Sequence, residues 1–119
     1  MMASITESIP PENLLSSRFR IHPVVGDTME PTFRGGRDYA LLAPVTSYWG
    51  EGVYLVNIGS GVDLFRVESA FDGKGGLRLS QENPRCGTVC LSRERFDDAV
   101  VGIVIADIRP RDERFLRQA

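Results

Sequence analysis

Gly26-Asp27-Thr28-Met29-Glu30-Pro31-Thr32, continuing into Phe33-Arg34-Gly35-Gly36, is the stretch around which the chain is organised. It follows Arg18-Phe19-Arg20-Ile21-His22-Pro23-Val24-Val25, an alternating run that reads as a strand ending at the glycine. Gly26 and Asp27 are turn formers, and Pro31 bars a helix or strand ladder from running on. A small hydroxyl, Thr28, is thereby presented at a sharp turn just past a strand. Such a turn exposes a side chain and leaves backbone N–H groups free for an oxyanion, the setting of many hydrolase nucleophiles. The same residues also fit a plain turn threonine bonded to its own backbone. Both readings stand at this point.

Outward from the motif the chain is a succession of short strands. Asp38-Tyr39-Ala40-Leu41-Leu42-Ala43 is a strand stopped by Pro44, and Val45 to Glu51 is a loop whose Trp49 is expected to cover an edge of the core. Gly52 to Ile58 is apolar on both faces, as in a buried strand. Ile58-Gly59-Ser60-Gly61 turns the chain into Val62 to Ser69, and Phe71-Asp72-Gly73-Lys74-Gly75-Gly76 turns it again into Leu77-Arg78-Leu79-Ser80. Thr88 to Leu91 is a short strand, Ser92 caps about one helical turn through Phe96, and Val100 to Ile108 is a long final strand. The expected fold is a compact, mostly β domain of about seven strands with little helix. Residues 1–17 read as a loose arm pinned at Leu14-Leu15, 18–109 as the domain, and 110–119 as a tail forming a short solvated helix or a frayed end.

The ordered pieces resemble a known family. Gly26-Asp27-Thr28-Met29-Glu30-Pro31-Thr32 is similar to the Gly-Asp-Ser-Met-x-Pro-Thr signature of the LexA and phage-repressor family of self-cleaving serine/lysine peptidases, whose fold is shared with signal peptidases. Gly52-Val53-Tyr54-Leu55-Val56, Asp63-Leu64-Phe65-Arg66-Val67, Leu77 to Pro84 and Val101-Gly102-Ile103-Val104 follow at family-like spacings, so the likeness spans about residues 19–109. Gly26, Asp27, Thr28, Met29 and Pro31 carry the motif. The resemblance implies a LexA C-terminal or signal-peptidase-like β domain, with Thr28 where the family has its serine and Phe65 where it has its lysine.

Those two replacements bear on function. A serine/lysine dyad works because a desolvated lysine loses its proton and serves as the base, and a phenylalanine has no proton to exchange. Lys74 is the only lysine and sits among turn glycines, where an ammonium keeps its ordinary high pKa. His22, the only histidine, is the one candidate substitute base for Thr28. Phe65 is expected to fill the former lysine site as core. The arm lacks the Ala-Gly or Cys-Gly pair that the family cuts, and it is too short for a helix-turn-helix domain.

The net charge of -2 and pI near 5.4 argue against a chain that grips nucleic acid by its own phosphate contacts. No apolar run approaches the roughly 20 residues that span a bilayer, and the N-terminus has no secretion-signal pattern, so a cytoplasmic protein without a membrane contact is expected. Cys86 and Cys90 would lie about 13 Å apart on a strand, too far for a disulfide unless the chain turns sharply between them. Free thiols are expected, Cys90 buried, with no metal and no cofactor.

In the resembled family the last strand pairs across a twofold axis. Here Gly102, Ile103, Val104 and Ile105 lie in a long β-branched run, a template for another chain if it is a sheet edge and an ordinary central strand if it is not. The expected function is a catalytically inactive peptidase-like domain acting as a dimerisation or interaction module in transcriptional regulation, phage- or SOS-linked. Its partner would be a second copy or a full-length repressor-like protein. The alternatives are a divergent self-cleaving or signal-peptidase-like hydrolase using Thr28, and a polymerase accessory subunit.

Overall fold

The computed structural model describes residues 8–119; the first part of the arm lies outside the described residues. Strands β1 (Arg20–Pro23), β2 (Tyr39–Pro44), β3 (Gly52–Asn57), β4 (Val62–Ser69), β5 (Leu77–Ser80), β6 (Thr88–Leu91) and β7 (Val100–Ile108) form one antiparallel sheet in the order β1-β2-β7-β3-β4-β5-β6. The mostly β fold of about seven strands is therefore present. Pro11–Leu15 is a 3-10 helix whose Leu14 and Leu15 are exposed, so this part of the arm is not pinned to the core as expected. None of the helices among the described residues is long and apolar enough to cross a membrane.

Alternation along the strands sends neighbouring residues to opposite faces. Leu55 and Leu64 join Val24, Met29, Phe33, Ala40 and Leu42 in one core cluster, whereas Tyr54, Val56 and Val67 join Leu77, Leu79 and Phe96 in the other. Phe96 belongs to helix α1 (Arg93–Ala99), which starts where the Ser92 hydroxyl accepts from the Arg95 N–H. Tyr48, Tyr54 and Phe96 form an aromatic triad, with Tyr54 and Phe96 edge to face at 5.4 Å between centroids. The Tyr54 hydroxyl donates to the Gly50 carbonyl at 2.7 Å and accepts from the Trp49 N–H at 2.8 Å. This turn directs Tyr48 inward and leaves Trp49 exposed, so tyrosine, not tryptophan, covers the core edge.

β7 settles the open question of the last strand. It is central: β2 pairs with Gly102–Ile108 on one side and β3 with Val100–Ile103 on the other. Gly102, buried opposite both Pro44 and Leu55, lies beside a register shift between Leu55 and Val56 of β3, and on the β2 side a Cβ would approach the Ala43 carbonyl oxygen to 2.9 Å. Gly102 and Ile103 are thus held inside the sheet, contrary to their expected role at an interface. The pairing of β3 with β7 ends at Tyr54 opposite Ile103. No strand among the described residues pairs with that side of residues 104–108. The tail holds a short helix, α2 (Glu113–Arg117), as expected, with Phe115 and Leu116 exposed.

Candidate functional site

Residues 24–38 form a loop closed at its base. The Val24 N–H donates to the Asp38 carbonyl at 3.0 Å, and the Gly36 N–H donates to the Val24 carbonyl at 2.9 Å. Met29 and Phe33 descend from the loop into the first core cluster, 1% and 2% exposed. Burying side chains of this size is worth about 1.5–3 kcal/mol each, enough to hold the loop against the sheet. Gly26 sits at φ +77° and the Glu30–Pro31 peptide is cis. Gly35 packs directly on the Gly26 backbone, leaving no room for a Cβ.

A second clamp comes from the segment after β5. The Asn83 backbone N–H donates to the Thr28 carbonyl at 2.9 Å, and its side-chain amide donates to the Asp27 carbonyl at 3.1 Å. Arg85 reaches the Asp27 carboxylate at 3.1 Å. Sequence reasoning missed Asn83 in this role, although Asn83-Pro84 is a turn-forming pair; its side-chain oxygen also accepts from the Arg85 N–H at 3.0 Å, so the buried amide is satisfied at both ends.

Thus held, half-buried Thr28 lines a cavity of about 400 Å³ together with His22, Val24, Val25, Met29, Val62, Asp63 and Leu64. The structure therefore brings together Thr28 and its one candidate base. Burial pushes the His22 pKa below its ordinary value, and the Asp63 carboxylate opposes that shift. A neutral imidazole at neutral pH follows. Asp63, not singled out from the sequence, is oriented by the Gln81 amide at 2.9 Å and the Leu64 N–H at 2.8 Å. No hydrogen bond joins the Thr28 hydroxyl to His22 among the described residues.

Phe65 is elsewhere. It packs in the second cluster and lines a different cavity with Val56, Leu79 and Ala99, while its neighbour Leu64 takes the face toward Met29. The reading that Phe65 fills a lysine site beside Thr28 is corrected by strand alternation: the two side chains lie on opposite faces of β4. It remains core, but not core at the hydroxyl.

Cys86 is half-buried and Cys90 exposed, both free; β6 is an outer strand, which corrects the expected burial of Cys90. Among the described residues no three His, Cys, Asp or Glu side chains group as metal ligands.

At the base of the loop, buried Asp38 accepts from the Arg34 N–H at 2.8 Å and from Arg37 at 2.7 Å, with Arg109 at 3.7 Å. These bonds, Arg37 foremost, hold its pKa down at about 2. A carboxylate more acidic when folded than unfolded stabilises the fold above its unfolded pKa, and that stability is lost as pH falls through the folded value. The expected result is a decline of about 1 kcal/mol between pH 5 and about 2, after allowing for solvent screening of the arginines, that Asp38→Asn abolishes in urea unfolding. Equal acid sensitivity in the variant would refute the assignment.

No protein-family model matches this chain, and no curated protein matches it.

Proposed function

We propose that this chain is a catalytically silent relative of the peptidase-like domain of LexA and phage repressors, acting in the cytoplasm as a dimerisation or interaction module in phage- or SOS-linked transcriptional regulation. Its partner is a second copy or a full-length repressor-like protein, and it contacts no DNA itself. The observation that carries this reading is the unpaired side of β7 beyond Ile103. A strand edge inside a folded domain is a template for another chain. A shallow groove of about 320 Å³ runs beside it, lined by Thr32, Phe33, Val53, Arg66 and Val104 to Asp107. The expected interface therefore shifts from Gly102–Ile103 to Val104 and Ile105 and onward.

A twofold axis at Ala106 sets Ile105 of each copy opposite Asp107 of the other. Ile105→Asp then opposes two carboxylates, and sedimentation is expected to show self-association at least about tenfold weaker. An unchanged dimer, or a monomer before mutation that also ignores a repressor-like partner, would overturn the proposal.

The shared cavity of Thr28, His22 and Asp63 favours a second reading, a hydrolase with hydroxyl, imidazole and carboxylate in sequence. The N–H groups of Thr28 and Met29 make no hydrogen bond among the described residues, which suits an oxyanion. Discrete fragments on incubation at mildly alkaline pH that vanish in both Thr28→Ala and His22→Gln would establish it in place of the first.

A further inference from the structure

The two outer strands of the sheet are built differently. β1, Arg20-Ile21-His22-Pro23, carries a charge and a proline, the devices that discourage another chain from pairing. β6, Thr88-Val89-Cys90-Leu91, carries neither a charge, a proline nor a register shift, and its Thr88, Val89 and Cys90 are exposed. Its free side is an unprotected row of backbone donors and acceptors.

Beside that strand lies a largely apolar hollow of about 440 Å³, floored by Phe65 of β4, Leu79 of β5 and Val89 of β6 and walled by Ile58 and Ala99. The volume lies in the range of roughly 300–1,000 Å³ typical of ligand sites. Ile58 and Val89 are 53% and 52% exposed at its mouth, so apolar surface continues from the hollow to the strand edge. Arg95 of α1 also lines it, and among the described residues its guanidinium has no ion-pair partner, unlike Arg66 and Arg78 on the neighbouring strands.

From the open edge, the hollow and the lone guanidinium, we infer that β6 receives an extended acidic peptide of another protein. The peptide adds as an eighth strand, drops one apolar side chain into the hollow, and sets a carboxylate against Arg95. Main-chain bonds supply the attachment, while the hollow and Arg95 supply the selection. A second copy pairing through β6 suits the site poorly: it would bring another empty hollow and another Arg95, leaving both cations unmatched.

The probe is a blocked hexapeptide, acetyl-Ser-Leu-Thr-Val-Ser-Asp-amide, titrated into the full chain with amide shifts followed by NMR. Shifts are expected at Thr88–Leu91 and around Arg95, with no change in molecular mass. Replacing the peptide's aspartate by asparagine, or Arg95→Gln in the protein, should each weaken binding about three- to tenfold, and the two together no further. Replacing both peptide leucine and valine by serine should abolish the shifts. No response at millimolar peptide, shifts confined to β7, equal binding by the asparagine peptide, or pairing of two copies through β6 in place of peptide would each overturn the inference. Folding of Arg95→Gln is checked by its unchanged spectrum elsewhere, since the cap at Ser92 uses only the backbone N–H.

Discussion

Phe96→Ala is expected to lower the free energy of unfolding by about 3–5 kcal/mol, the largest loss from any single truncation in this chain. The ring is 0% exposed and is the only fully buried side chain that α1 contributes. Its removal deletes the edge-to-face contacts with Tyr48 and Tyr54 and leaves a void that the sheet cannot close, because Tyr54 is tied by its hydroxyl to the Trp49–Gly50 turn. Phe96→Leu should recover more than half of the loss. Urea unfolding followed by tryptophan fluorescence measures both. A loss under about 1 kcal/mol for the alanine variant would show that α1 does not dock on this face.

Gly35→Ala comes second, at about 2–4 kcal/mol, and its mechanism is collision instead of a cavity. A methyl at residue 35 would land on the carbonyl oxygen of Gly26, and backbone atoms cannot step aside as a flexible side chain does. The base of the 24–38 loop must open, which pulls at the Gly36–Val24 hydrogen bond and at the seating of Met29 and Phe33. Gly87→Ala, whose added methyl meets nothing within 4 Å, is the control and should cost little. Hydrogen exchange supplies a second readout: the Val24 and Gly36 amides are expected to lose protection in Gly35→Ala while β4 and β5 keep theirs. Intact protection at Val24 with normal stability would refute the close packing of the two glycines.

What the residues disclosed in advance were local states. Val62 to Ser69, Leu77 to Ser80, Thr88 to Leu91 and Val100 to Ile108 are bounded by glycines, prolines or a capping serine, and the observed strands match them. Ser92 as a helix cap was legible for the same reason, since its bond is to a residue three positions on. The turn at Thr28 was legible too, and so was His22 as the single imidazole that could serve it. Which side of β4 faces that turn was not, because alternation fixes that Leu64 and Phe65 diverge without fixing which of them meets Met29. The position of β7 was equally hidden: a β-branched run suits an edge or a centre, and only its partners near residues 40 and 55 decide between them. Asn83 escaped notice since its donors serve carbonyls more than fifty residues away.

The place of β7 between β2 and β3 has a kinetic consequence. Without it the sheet is two separate pieces, the β1–β2 hairpin and the β3-β4-β5-β6 meander, which share no ladder. The meander can zip from hairpin to hairpin, whereas the first pair must wait for a strand some sixty residues downstream, and such distant closure slows assembly. A chain emerging from the ribosome therefore keeps the two pieces of the sheet unjoined until Val100–Ile108 arrives, and a truncation ahead of residue 100 leaves them without a shared ladder.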